Sequence, residues 1–147
     1  MSDITASTSI VVDRPRQQVW KALTEPDLVK QYFMGATVKT DWQVGHPITF
    51  SGKWKDKSFE DKGEILTFEP EQEMSYSHWS PLNGSADAPE NYHVVDIALD
   101  GDDTRTEVTL TQSNLKGGVT DADKASRADY EKNWSSTLEG LKKVAEA

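Results

Sequence analysis

The sequence predicts a single α+β domain spanning residues 1–147, in which a long C-terminal helix packs across a curved antiparallel sheet of about six or seven strands. Three observations lead to this prediction. The N-terminal segment alternates apolar and polar residues with a period of two, the middle of the chain repeats that alternation between turn residues, and the tail changes to spacings of three and four. A length of 147 residues suits one hydrophobic core.

The first strand and two short helices are predicted from the N-terminal alternation and the residues that end it. Apolar and small residues occupy every second position: Ile4, Ala6, Thr8, Ile10 and Val12. Pro15 fits the first turn of a helix, where its missing N–H needs no partner, and Pro26 allows a second helix to begin after Thr24. Gly35 ends this helical stretch because glycine readily adopts the left-handed conformation of a helix cap.

The region 36–112 is predicted to form strands joined by turns. The alternation is irregular in one predicted strand, because Ile65 would lie on the opposite face from Leu66 and Phe68. This irregularity indicates a β-bulge or burial on both faces. A tight hairpin is expected at Asp100-Gly101. The residues predicted to share inward faces are Ile48, Phe50, Gly52 and Trp54, then Met74, Tyr76 and His78, then His93, Val95, Ile97 and Leu99, and finally Val108, Leu110 and Gln112.

The tail predicts a one-sided helix of about 25 residues. Thr120 and Asp123 have the spacing of a capping box, in which each side chain bonds to the backbone N–H of the other. Gly140 weakens a helix, so we expect that it permits a close approach to the sheet. The apolar stripe consists of Tyr130, Trp134, Leu138, Leu141 and Ala145.

Charge and composition exclude several classes of function. The chain has 16 basic and 25 acidic residues and a formal net charge of −9, which disfavours nucleic acids and anionic membranes as partners. It contains no cysteine, so we expect no disulfide and no thiolate metal site, and a reducing cytoplasm is the expected location. Aliphatic runs are far too short for membrane insertion.

Several phrases of the sequence, taken in order, resemble a known family. They are Pro15-x-x-x-Val19-Trp20-x-Ala22-Leu23-Thr24, Gly45-x-Pro47-x-x-Phe50, Gly63-x-Ile65 with Pro70, Tyr76-Ser77-His78 and Trp134-x-x-x-Leu138-x-x-Leu141. Together they resemble the SRPBCC superfamily, and within it the branch named after the C-terminal domain of the activator of heat-shock protein 90 ATPase. The resemblance implies the helix-grip fold of START and birch-pollen-allergen-like proteins, in which helix and sheet enclose a cavity.

The candidate site is a set of predicted inward-facing residues. It consists of Phe50, Trp54, Tyr76, His78, His93, Trp134 and Leu138. Aromatic side chains with a few polar groups are typical of ligand pockets. If the connection between the two histidine strands folds symmetrically, His78 lies opposite His93. The connection 80–91 is mostly polar with two prolines, and we interpret it as a candidate lid.

The first functional hypothesis is that the domain encloses a small hydrophobic or amphipathic molecule. The alternatives are a chaperone-associated interaction module with a solid interior, and a cyclase or isomerase that uses His78 and His93 as acid and base. We expect no cofactor and no metal, because His46 sits beside a turn with no reason to join the other two histidines. A monomer and a homodimer are both compatible with the sequence.

Overall fold

The computed structural model describes residues 4–33, 35–54, 56–81 and 86–147. Within these residues, seven strands form one sheet in the order β1-β7-β6-β5-β4-β3-β2, and all neighbours are antiparallel. The elements in chain order are β1 (Ile4–Val12), α1 (Arg16–Thr24), α2 (Pro26–Val29), β2 (Thr37–Lys39), β3 (Pro47–Trp54), β4 (Lys57–Glu69), β5 (Glu73–His78), a short 3-10 turn (Pro89–Asn91), β6 (His93–Gly101), β7 (Thr106–Asn114) and α3 (Asp121–Glu146). The predicted α+β helix-grip architecture is confirmed.

The helices cover one face of the sheet, which we call the inner face. Leu138, Leu141 and Ala145 of α3 are buried there together with Val19 of α1. At the start of α3, the Thr120 hydroxyl accepts a bond from the backbone N–H of Asp123 at 3.0 Å. The Asp123 carboxylate accepts one from the Thr120 N–H at 2.9 Å, which confirms the capping box. None of the helices in the described part of the chain is long and apolar enough to span a membrane.

The predicted irregularity in β4 is a β-bulge. The pairing of β4 with β5 shifts register between Ile65 and Thr67, so residues on either side of the shift have opposite parity. The hairpin between β6 and β7 differs from the prediction, because Gly101 still pairs with Thr106 and the turn occupies 102–105. The Asp102 carboxylate stabilises that turn by accepting bonds from the backbone N–H groups of Thr104 at 2.8 Å and Arg105 at 3.0 Å.

Gly140 permits a close approach, but its neighbour differs from the one predicted. A Cβ at this position would lie 2.7 Å from the Cβ of Tyr32, which follows α2, so the contact is with the helical segment and not with the sheet. Tyr32 is held there by a bond from its hydroxyl to the carbonyl of Ala22 at 2.8 Å. The expectation of a close approach to the sheet was therefore wrong.

The opposite side of the sheet, the outer face, carries small polar residues and the described end of the 80–91 connection. Lys62 follows the buried Asp61 in β4 and therefore points outward. It forms an ion pair with Asp87, and Asp87 also accepts a bond from the Tyr92 hydroxyl at 2.6 Å. Residues 82–85 lie outside the described part. The segment 86–91 packs on the outer face, away from the helices, so these residues do not form the predicted lid.

Candidate functional site

The enclosed interior between the sheet and α3 is almost completely filled. The cavity that remains has a volume of about 30 Å³ and is lined mainly by apolar side chains. A water molecule needs roughly 10–15 Å³ and a 150 Å³ cavity admits benzene, so there is no room here for an organic molecule in this conformation. Within the described residues, the enclosed interior beneath the helix is therefore smaller than the ligand-sized cavity that was predicted.

Stacked aromatic rings explain why the interior is filled. The ring centroids of Phe33 and Phe50 lie 4.9 Å apart, those of Phe50 and Tyr76 lie 5.5 Å apart, and those of Phe33 and Trp134 lie 6.3 Å apart. Such offset and tilted pairs are favourable beyond the area that they bury. Leu138 closes the same layer from the helix side.

A solvent-open cleft lies next to this filled interior. Its volume is about 160 Å³. Three of its lining side chains also line the small cavity, so the two spaces adjoin each other: Phe33, Trp134 and Thr137. The remaining lining residues are Asp61, His78 and Asn133.

Asp61 and His78 form the polar end of the cleft. Asp61 has the same parity in β4 as Phe59 and Ile65, so its side chain points to the inner face among apolar residues. The Asp61 Oδ2 lies 3.0 Å from the Nε2 of His78, with side chains that are 8% and 18% exposed respectively. Burial, and then the negative charge of Asp61, raises the pKa of the nearby Tyr76 hydroxyl. The cleft therefore contains a buried carboxylate paired with an imidazole.

The second oxygen of this carboxylate has no hydrogen-bond partner in the described part of the chain. Asp61 Oδ1 is shielded from solvent and accepts no hydrogen bond within the described residues. The ion pair that the structure gives to Asp61 is the one with His78. Leaving a buried acceptor unpaired costs about 1–3 kcal/mol, and more when it belongs to a charged group. Such a group in a cleft is a candidate for ligand recognition.

The aromatic wall of the cleft is held by a hydrogen-bond network. The indole N–H of Trp134 donates to Gln112 Oε1 at 2.8 Å, and Gln112 donates through Nε2 to the Thr5 hydroxyl at 3.0 Å. Thr5 and Gln112 are both buried. Because the indole nitrogen is fixed on the sheet, the Trp134 ring has a defined orientation beside Phe33.

His93 lies directly opposite His78 in the pairing of β5 with β6, as predicted. It does not line the cleft, however, and its ring packs beside Tyr130 at 6.2 Å. The pKa of His93 is lowered from its ordinary value. Burial is the main cause and the charge of His78 adds to it, whereas the negative charge of Asp123 acts in the opposite direction. The cleft thus offers one imidazole to a bound molecule. No group of three potential metal ligands occurs in the part of the chain that the structure describes.

The structure divides the predicted site residues into three groups. Phe50, Tyr76 and Leu138 belong to the filled interior, and Trp134 borders both the interior and the cleft. His78 lies in the cleft and His93 beside it. The side chain of Trp54 lies outside the described part.

Sequence reasoning missed Asp61, Phe33, Asn133 and Thr137. Asp61 could have been found from its parity with Phe59 and Ile65, and Thr137 from its position one turn after Trp134. Phe33 was expected only as an apolar residue of the second short helix, but it lies after the end of α2, between α2 and β2.

Comparison with protein families decides the relationship. The model of the family described as "Activator of Hsp90 ATPase homolog 1-like protein" matches residues 13–146. The chain belongs to this family. It is 44% identical to ChR145 from Cytophaga hutchinsonii, over 96% of this chain and 92% of that one, with a TM-score of 0.76. A search of curated proteins gave no match.

Two more distant structures share the fold of this chain. The Aha1 dimer from Colwellia psychrerythraea is 19% identical, over 99% of this chain and 97% of that one, with a TM-score of 0.69. DynU16, from the dynemicin biosynthetic locus, is 18% identical with a TM-score of 0.77, and the match covers all of this chain but 48% of that one. At these identities the comparison establishes the fold alone.

Proposed function

We propose that this activator-like domain binds a small amphipathic molecule in the cleft formed by Phe33, Asp61, His78, Asn133, Trp134 and Thr137. The observation that carries the proposal is the unpaired, buried Asp61 oxygen at a cleft with a fixed aromatic wall. Ligand sites are typically apolar surfaces with a few placed polar groups, and this cleft has that composition.

The size of the cleft defines the ligand. A volume of about 160 Å³ is close to the 150 Å³ cavity that admits benzene. The interior behind it adds only about 30 Å³. A long acyl chain would need the aromatic layer of Phe33, Phe50 and Trp134 to separate. The cleft therefore fits a molecule of about one ring.

Benzyl alcohol is a suitable first probe, because it joins one aromatic ring to one hydroxyl donor. We expect a dissociation constant on the order of 1 mM, since ligands of about eight non-hydrogen atoms gain a few kcal/mol in total. Titration followed by 1H–15N NMR should shift the indole N–H of Trp134 and the amides around Thr137.

Two variants of α3 separate the cleft from the rest of the surface. Thr137→Met places a longer side chain into the cleft and should weaken binding at least tenfold. Ser136→Met adds the same side chain at the neighbouring, exposed position and should leave binding unchanged. Shifts that persist in the Thr137→Met variant, or that map to another surface, would contradict the proposal.

A second candidate is docking to the chaperone that gives the family its name. The filled interior supports it, because a solid domain acts through its surface. If this activity is present, the purified chain should raise the ATPase rate of heat-shock protein 90 in a saturable manner. An unchanged rate at excess chain would exclude activation. Cleft binding and docking are tested separately, since the first is measured by titration with the probe and the second by the ATPase rate.

A further inference from the structure

We infer that the ligand of the cleft carries a protonated amine, bound by the Asp61 carboxylate with its apolar body against Phe33 and Trp134. This inference rests on the proposed function and specifies the chemical class of the ligand. The first step is the state of the carboxylate. One oxygen is bonded to His78 Nε2 at 3.0 Å, and the other is buried with no partner in the described residues.

The shielding of this oxygen decides what can pair with it. Because Oδ1 is hidden from bulk solvent, water does not replace the missing hydrogen bond. A neutral hydroxyl would supply a hydrogen bond but no charge. An ammonium supplies both a hydrogen bond and a full positive charge next to the carboxylate. The unpaired oxygen therefore favours a cation over a neutral donor.

No lysine or arginine of the described residues provides that cation. The ion pairs of lysine and arginine in the described part go to other acids, for example Lys62 to Asp87 and Lys142 to Glu146. The partner of Asp61 is an imidazole, which is a cation only when protonated. The chain as a whole also attracts cations, with a formal net charge of −9. A positive group from outside can therefore pair with Asp61, and to reach Oδ1 it must displace the side chains that shield this oxygen from water.

The aromatic wall supports the same class of ligand. Phe33 and Trp134 both line the cleft, and their ring centroids lie 6.3 Å apart at an interplanar angle of 51°. A cation over the face of such rings is attracted by their electron density, and Trp is the best of the aromatic side chains for this contact. The bond from Trp134 Nε1 to Gln112 keeps the ring in place. A carboxylate and two rings around one small cleft form a suitable site for an ammonium group.

The test compares three one-ring probes of nearly equal size: benzylamine, benzyl alcohol and toluene. At pH 7, we expect NMR titration to show benzylamine binding at least tenfold more tightly than benzyl alcohol, with toluene the weakest. Asp61→Asn should remove the preference for the amine. Glu139→Gln, an exposed change on α3 that alters the net charge equally, should leave the preference intact.

Each outcome has a distinct meaning. Equal binding of the three probes, or a preference for the alcohol, would overturn the inference and leave the proposed function standing. An amine preference that survives Asp61→Asn, or falls equally in Glu139→Gln, would also overturn it. If none of the probes binds in the cleft, the proposed function itself fails. Should Asp61→Asn not fold, Phe33→Leu keeps the test open, since it should lower the amine affinity at least threefold and the toluene affinity less.

Discussion

Replacement of Gly63 by alanine is expected to destabilise the domain by more than about 3 kcal/mol, because a methyl group has no space there. A Cβ on Gly63 would lie 1.6 Å from the carbonyl oxygen of Ser77 and 2.5 Å from its carbonyl carbon. Both are backbone atoms of β5, so no side-chain rotation relieves the overlap. The two strands would have to separate.

The position of Gly63 makes this separation costly for the candidate site. It lies between two paired positions. Ile65 pairs with Tyr76 of β5, and Lys62 pairs with Trp79, the residue that follows β5. The second pair exchanges two backbone hydrogen bonds of 2.9 Å. Moving β5 outward would disturb these bonds and the approach of His78 to Asp61. We therefore expect the variant to lose both stability and cleft binding.

Gly52→Ala is the matched control for this substitution. It adds the same methyl group to the neighbouring strand β3, where the nearest atoms are the ring of Phe59 at 3.2 Å and the Cα of Ala36 at 3.4 Å, so a shift of a few tenths of an ångström suffices. We expect a loss of no more than about 1 kcal/mol in urea denaturation. If Gly63→Ala remained within about 1 kcal/mol of the parent protein, the close approach of the two strands would be refuted.

Asp96→Asn is expected to stabilise the domain, by an amount that depends on pH. Asp96 lies on the outer face of β6, between Ser75 of β5 and Thr111 of β7. Its Oδ1 is buried without a partner within the described residues. Burial first, and then a hydrogen bond and the charge of Glu73, raise its pKa to about 7. The folded protein therefore disfavours the charged form.

The sign of the effect follows from this shift. Between the ordinary pKa of about 4 and a pKa of about 7, the folded state holds a proton that the unfolded state has lost, so stability falls as pH rises through this range. Asparagine is neutral throughout. The gain in the free energy of unfolding of Asp96→Asn over the parent protein should be near zero at pH 4 and reach a plateau above pH 7. Allowing for partial solvent screening of Asp96, we expect a plateau on the order of 2 kcal/mol.

Urea denaturation at pH 4 and pH 8 tests this prediction. Asp100→Asn is the control, because Asp100 is exposed on the same strand and its replacement removes one negative charge from the same region. It should change the free energy of unfolding by no more than about 0.5 kcal/mol. An equal gain for Asp96→Asn at both pH values would show that the charge of Asp96 is not the cause.

The sequence predicted the features that repeat along the chain or depend on close neighbours. The alternation of β1 from Ala6 to Val12, the irregularity after Ile65, the capping box at Thr120 and the facing of His78 and His93 are confirmed. Local spacing determines these features. The hairpin after β6 was placed slightly early, because the Asp102 side chain stabilises a longer turn than Asp100-Gly101 suggested.

The sequence by itself determined the order of the strands and helices along the chain and the face to which most side chains point. Backbone periodicity fixes both features. Only the tertiary structure decided that Phe33 reaches the aromatic layer and fills the expected cavity, and that Asp61 meets His78 across two strands. These contacts join residues that are distant along the chain, and they depend on side-chain volume and strand register, neither of which a period of two or 3.6 contains. The cleft and its unpaired carboxylate oxygen are therefore products of packing.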